Sequence, residues 1–130
     1  KNLDMEHMLI VHGDDGLDEI TITSETTIAE LKDHKIIEYK ISPKEFGISL
    51  ASFEKIYANS PQQSLMMVQE AFEGEKSAVQ DMIAMNSGAA LYIARIVDSI
   101  NDGVELAFEL MNNGMASNKL AEYVRVSNNI

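Results

Sequence analysis

Residues 8–19 read MLIVHGDDGLDE, so four consecutive apolar residues lead through His12 and Gly13 into a turn with four carboxylates. Apolar residues that do not alternate with polar ones are typical of a strand covered on both faces, as in a parallel sheet. The acidic turn then follows the carboxyl end of that strand, which is where ligands collect in open α/β sheets. The stretch therefore predicts an α/β fold with a ligand site directly after one buried strand.

The next part of the chain predicts shorter strands. Residues 20–23, with the sequence ITIT, alternate apolar and polar side chains as a half-buried strand does. Further strands are expected at residues 27–31 and 36–41, on either side of a polar turn at residues 32–35. Because these strands are short and follow a tight turn, we expect them to form an antiparallel excursion rather than to be parallel neighbours of the first strand. The strand at residues 8–11 would then lack parallel neighbours and would leave apolar surface exposed or buried by association.

The rest of the chain is predicted to be helical. Ser42 and Pro43 begin a short helical turn that ends at Gly47. Beyond it, serines that can cap helices precede apolar residues at helical spacing. The predicted helices run from Ser60 to Gly74, from Ser77 through Ile93, from Ser99 to near Gly114, and near residues 117–126. The predicted order is one buried strand, an antiparallel excursion, and three to four helices.

Composition narrows the classes of function. The chain has 130 residues, the size of one domain, and a net charge of -11 that disfavours a nucleic-acid partner. Its cysteine count is zero, which excludes disulfides, zinc-thiolate sites and thiol catalysis, and is compatible with a cytoplasmic protein. No apolar run approaches the roughly 18 residues that a membrane span needs. The chain opens at Lys1 and its first residues resemble the tail of a helix, which indicates either a cut chain or a processed terminus.

The acidic turn contains Asp14, Asp15, Asp18 and Glu19. Mg²⁺ is commonly bound by one or two carboxylates together with substrate phosphates. Asp18 and Glu19 could therefore hold a Mg²⁺ ion on a diphosphate substrate. A solvated turn is the alternative, because Asp and Gly favour turns for conformational reasons alone. A calcium loop fits less well, since the twelfth position, Glu25, is not preceded by ligands at the required alternate positions.

The segment from Val11 to Glu19 closely resembles the metal-binding segment of anthranilate phosphoribosyltransferases. Supporting similarity extends over nearly the whole chain. It includes residues 29–32, 38–39, 41–47, 74–76, 86–92 and 103–107. The resemblance implies transfer of a phosphoribosyl group from phosphoribosyl diphosphate to anthranilate, a step of tryptophan synthesis, by a cytoplasmic homodimer. It also implies that Asp18 and Glu19 bind Mg²⁺. We assign no catalytic residue and no site for another cofactor.

The resemblance further implies that residues 1–130 are the C-terminal portion of a large α/β domain related to that of pyrimidine nucleoside phosphorylases. The family's N-terminal helical domain, glycine-rich diphosphate loop and further substrate-binding segments have no counterpart in this sequence. We therefore expect the isolated chain to be inactive. The alternatives are a nucleoside-phosphorylase-like relative of the same fold, and a non-enzymatic acidic interaction module whose turn binds nothing.

Four further residues lie in or near these motifs. His12 could contact a phosphate, but a structural histidine with a bonded partner is the favoured interpretation. Asn86 interrupts an apolar helical stripe, and we expect its amide to bind backbone groups because buried polar groups need partners. Asp14 and Asp15 are expected to be solvated rather than to support the metal ligands from behind.

Overall fold

The computed structural model describes residues 5–128. The chain's first four residues, where a helix tail is expected, and residues 129–130 lie outside the described residues. The strands are His7–Gly13 (β1), Thr26–Lys32 (β2) and Lys35–Ile41 (β3), and two short 3-10 helices span Pro43–Phe46 and Phe53–Lys55. The α-helices are Pro61–Phe72 (α1), Ala78–Ile93 (α2), Ile100–Asn112 (α3) and Met115–Ser127 (α4). The chain is thus a mixed α/β structure, as predicted.

The three strands form one antiparallel sheet in the order β1-β2-β3. β2 and β3 are joined by Asp33 and His34, which both have positive φ angles of 49° and 62°. Two central residues with positive φ match the right-handed twist of a hairpin, and Asp is among the residues that tolerate this conformation. The strands predicted at residues 27–31 and 36–41, and the turn between them, are therefore confirmed.

The prediction that β1 is covered on both faces is wrong for this chain. β1 is an edge strand that pairs with β2 alone among residues 5–128, and the pairing is antiparallel. Leu9 and Val11 pack against the core, whereas Ile10 points to the other side and is 60% exposed. Successive strand residues face opposite sides, so an apolar run on an uncovered strand must expose part of itself. The expected exposed apolar surface is present.

The strand predicted at residues 20–23 is also wrong. These residues form a loop, yet Ile20 and Ile22 are core residues and Thr21 between them is fully buried. An alternating strand would have placed the threonine in solvent. The backbone here is instead bonded by side chains and by one distant amide, Ala51 N–H, which donates to the Ile22 carbonyl at 2.9 Å. The polar atoms of a buried loop must find such partners.

The helices begin where the serines predict. Ser60, Ser77 and Ser99 each accept a hydrogen bond at 3.1 Å from the backbone amide three residues later. This bond satisfies an amide that has no partner within the helix. α4 begins at Met115 instead of near residue 117, directly after Gly114 in a left-handed conformation. None of the helices within residues 5–128 is both long and apolar enough to cross a membrane.

A buried carboxylate joins the sheet to α2. Glu30 of β2 is 4% exposed and accepts hydrogen bonds from His7 at 2.9 Å, Tyr39 at 2.9 Å and Tyr92 at 2.8 Å. Burial alone would raise the pKa of the Glu30 carboxyl, but the three hydrogen bonds outweigh burial and hold that pKa below its usual value. Since the four residues come from all three strands and one helix, this cluster fixes β1, and the turn that follows it, against α2.

Replacing Glu30 with Gln is expected to lower the free energy of unfolding by about 1–3 kcal/mol at neutral pH, because a charged acceptor of three bonds is lost. The folded-state pKa of Glu30 is depressed. Its contribution is therefore present above the unfolded-state pKa and is lost as pH falls through the folded-state pKa. Urea unfolding at about pH 7 and about pH 3 measures the difference between the two proteins. This difference in the free energy of unfolding should be smaller at about pH 3. A difference that does not change with pH would contradict a role for the charged Glu30 carboxylate.

Candidate metal-binding turn

The acidic turn is a closed loop between β1 and the buried segment at residues 20–23. The Gly13 amide donates to the Leu17 carbonyl at 2.9 Å, and the Gly16 amide donates back to the Gly13 carbonyl at 2.9 Å. Gly16 has a φ of 93°, a conformation that side chains disfavour. A Cβ atom on Gly13 would lie 2.5 Å from an Asp15 carboxylate oxygen, so a side chain at this position would displace the Asp15 carboxylate.

Asp15 is exposed and stabilises the turn by binding groups within it and in the loop that follows. Its carboxylate accepts hydrogen bonds from the Thr21 hydroxyl at 2.5 Å, from the Thr23 hydroxyl and from the Leu17 amide at 3.1 Å. Burial would raise the pKa of Asp15, but these hydrogen bonds outweigh it and lower the pKa. The expectation that Asp15 is simply solvated is therefore wrong. The sequence did not predict these bonds because the two threonines lie in a loop that was predicted as a strand.

Asp14 is attached to the sheet. Its carboxylate accepts a hydrogen bond at 2.6 Å from the Lys40 ammonium on β3, and both side chains are partly exposed. The Glu25 carboxylate lies 3.9 Å from the same ammonium. The bond to Asp14 raises the pKa of Lys40. Asp14 is therefore not simply solvated either, and its charge is already balanced by a lysine.

Asp18 and Glu19 differ from the other two carboxylates of the turn. Both side chains are exposed, and neither makes a hydrogen bond or ion pair with any residue from 5 to 128. The turn thus uses two carboxylates for its own structure and presents the two others, adjacent in sequence, to solvent. These are the two predicted as metal ligands.

The donor set is suited to magnesium only in part. Within the described part of the chain, no group of three or more histidine, aspartate or glutamate side chains is arranged to hold a metal ion. Two carboxylates cannot make a complete protein site, but Mg²⁺ commonly takes one or two carboxylates and completes its shell with water and substrate phosphates. Asp18 and Glu19 therefore fit a metal that arrives with a phosphorylated ligand.

Asn86 of α2 holds the backbone directly after these carboxylates. Its side-chain oxygen accepts from the Ile20 amide at 3.0 Å, and its nitrogen donates to the carbonyls of Ile20 at 2.8 Å and Met82 at 3.0 Å. The expectation that this amide binds backbone groups is confirmed. The sequence could not identify the partner, which lies 66 residues away along the chain.

The buried histidine with a bonded partner is His7, whereas this role was expected for His12. His12 is exposed and has no hydrogen-bond partner among residues 5–128, so the expectation of a bonded structural histidine is wrong. His7 is the buried, bonded histidine, through its contact with Glu30, and it packs edge-on against the Tyr92 ring with centroids 4.7 Å apart. Sequence reasoning missed this cluster, because its members are separated by up to 85 positions and form no motif.

Comparisons with known proteins cover most of the chain. Residues 1–117 match the model of a family described as glycosyl transferase family, a/b domain. Among curated relatives, the anthranilate phosphoribosyltransferase of Vesicomyosocius okutanii is 41% identical over 127 residues, covering 98% of this chain and 38% of the relative. That of a Marinomonas species is 43% identical over 124 residues, covering 94% and 36%.

Solved structures agree in fold. The anthranilate phosphoribosyltransferase of Thermus thermophilus superimposes with a TM-score of 0.83 at 30% identity, over 92% of this chain and 35% of that one. The Saccharomyces cerevisiae enzyme in complex with PRPP and Mg gives a TM-score of 0.81 at 20% identity, over 94% and 35%. The chain thus spans little more than a third of the length of the relatives that it matches.

Proposed function

Because the chain belongs to the glycosyl transferase family, a/b domain, we propose that it forms the magnesium-binding part of an anthranilate phosphoribosyltransferase. The observation that carries this proposal is that the four carboxylates of the acidic turn differ in their partners. Asp14 and Asp15 are bonded within the fold, while Asp18 and Glu19 are exposed and without partners among residues 5–128. Carboxylates without protein partners are the ones that a metal can recruit at little structural cost.

In this proposal Asp18 and Glu19 are ligands, not nucleophiles or general bases. Phosphoribosyl diphosphate loses its diphosphate when the amine of anthranilate attacks the ribose, and negative charge grows on the departing oxygens. A bound Mg²⁺ would supply Lewis-acid stabilisation of that charge. The chain's own contribution is to fix the backbone on either side of these two residues, so that little backbone reorganisation is needed when the substrate binds.

Two observations favour this function over the alternatives. The curated relatives quoted above, 41% and 43% identical, both carry the anthranilate name, which supports anthranilate over a nucleoside as substrate. Asp15 and two threonines fix the backbone of the turn beside two carboxylates that have no partner among residues 5–128, an arrangement that supports a ligand-binding turn over an acidic module whose turn binds nothing.

The proposal includes the wider context that the resemblance implies. Residues 1–130 would be the C-terminal portion of the large α/β domain of a cytoplasmic, homodimeric enzyme of tryptophan synthesis. The helical domain, the diphosphate loop and the other substrate-binding segments would come from outside these residues. The active site would then be shared between this segment and the rest of the enzyme.

The function is tested with a chimera in which this chain replaces the matching segment of the Marinomonas enzyme. We expect the chimera to transfer the phosphoribosyl group to anthranilate when Mg²⁺ is present. We expect the isolated chain of 130 residues to show no turnover, because it spans only 36% of that relative. Turnover by the isolated chain, or a folded chimera without turnover, would contradict the proposal.

A further inference from the structure

The dipeptide Asp18-Glu19 is anchored at both ends. On one side, the Leu17 amide donates to Asp15 at 3.1 Å, and the Leu17 carbonyl accepts from Gly13 at 2.9 Å. On the other side, both backbone polar groups of Ile20 are bound by one side chain, Asn86. The exposed carboxylates are therefore carried by a backbone whose flanking residues each have their amide and carbonyl groups bonded.

The Asn86 amide acts as a neighbouring strand would. It accepts from and donates to the same residue, which is the pattern that one strand offers to another across a sheet. A second bond, to the Met82 carbonyl one turn earlier in α2, fixes the orientation of the amide. Ile20 is itself 1% exposed, so its backbone groups have no access to water in compensation.

From these contacts we propose that Asn86 is a positioning residue for the metal ligands, coupling the orientation of Glu19 and Asp18 to helix α2. This inference rests on the proposed function of the turn. Residues that orient metal ligands without touching the metal typically change its affinity by about 10- to 100-fold when removed. Asn86→Ala is therefore expected to weaken binding of Mg²⁺ in the presence of pyrophosphate at least about tenfold.

The chain offers a matched control on the same helix. Gln80 is a buried amide, 3% exposed, that donates to the Ala71 carbonyl at 3.4 Å and to the Asn112 side chain at 3.1 Å. Its contacts lie among α1, α2 and α3 and do not reach the acidic turn. Gln80→Ala should cost stability as Asn86→Ala does, yet leave the magnesium affinity within about twofold of that of the wild type.

The test is a calorimetric titration of Mg²⁺ with pyrophosphate into the chimera, in which the rest of the enzyme supplies the diphosphate loop, after thermal unfolding has shown which variants are folded. The unsubstituted chimera serves as wild type. Wild type, Asp18→Asn, Asn86→Ala and Gln80→Ala are compared. Weaker binding by both Asp18→Asn and Asn86→Ala, with Gln80→Ala unchanged, supports the inference. Wild-type affinity in Asn86→Ala, or an equal loss in Gln80→Ala, overturns it. Wild-type affinity in Asp18→Asn, or no binding by the wild type, instead overturns the proposed function.

A second variant covers the case in which Asn86→Ala does not fold. Asn86→Asp keeps the size of the side chain and the acceptor for the Ile20 amide, but it loses the donor to the Ile20 carbonyl. It should bind Mg²⁺ more weakly than wild type. If both Asn86 variants are unfolded where Gln80→Ala is folded, Asn86 serves the stability of the whole chain and the inference fails.

Discussion

Combining Asp18→Asn with Glu19→Gln is expected to lower phosphoribosyl transfer by the chimeric enzyme at least about a hundredfold. Loss of a single preorganised group that stabilises developing oxyanion charge costs about 10²–10³ in rate, and a metal ion contributes several kcal/mol in the same way. Both changes remove charge without changing side-chain size. Because neither residue has a partner among residues 5–128, the free energy of unfolding should stay within about 0.5 kcal/mol.

The control is Asp14→Asn, compared with Asp18→Asn alone so that each protein loses one negative charge from the same turn. Asp14 is bonded to Lys40 and is not assigned to the metal. Steady-state rates measured over a series of Mg²⁺ concentrations should therefore stay close to those of the unsubstituted chimera for Asp14→Asn. An equal loss in both proteins would mean that the net charge of the turn matters and that Asp18 and Glu19 have no specific role.

Gly103→Ala is expected to have the largest effect on folding, with a loss of about 3 kcal/mol or more. α2 and α3 meet where Gly88 and Gly103 bring their backbones into contact, and a Cβ atom on Gly103 would overlap the carbonyl oxygen of Gly88. The obstructing atoms belong to backbone, so the helices would have to separate. Overpacking of this kind costs about 1–3 kcal/mol and occasionally more.

The expected loss of stability in Gly103→Ala is opposite to the usual effect of this substitution. Within a helix, Gly→Ala normally stabilises by about 0.5–1 kcal/mol, so a loss must come from the contact between the helices. Glu109→Ala, on the exposed side of α3, is the control and should change stability by less than about 0.5 kcal/mol. Urea unfolding of both variants provides the comparison. A Gly103→Ala protein as stable as wild type would contradict the close approach of the two helices.

Local signals in the sequence predicted much of this fold. The serine caps, the hairpin and the capping turn at Ser42 depend on residues within four positions of one another, so they can be recognised without a tertiary structure. For residues 20–23, the local pattern predicted the wrong structure. Their alternating pattern favours a strand, but the threonine hydroxyls bind Asp15 and the backbone binds Asn86. Side-chain bonds to the backbone compete with sheet formation in this way.

Asp18 and Glu19 were assigned from a contiguous motif that resembles a family's metal-binding segment, and that assignment stays a prediction. The structural role of Asp15 depends on a loop conformation that the pattern obscured. The Glu30 cluster and the partner of Asn86 depend on contacts between residues far apart in the chain. Such contacts leave no periodic signal in a single sequence.

In the proposed site, Asp18 and Glu19 hold a divalent cation together with a diphosphate. The most direct measurement uses Mn²⁺, which favours the same oxygen ligands as Mg²⁺ and broadens nearby NMR signals. With pyrophosphate present, small additions of Mn²⁺ to the chimera should first broaden, within this segment, the amide signals of Asp18 and Glu19, and Asp18→Asn should abolish this selectivity. Broadening spread evenly over the other exposed carboxylates, or unchanged in Asp18→Asn, would mean that Asp18 and Glu19 do not form a specific cation site.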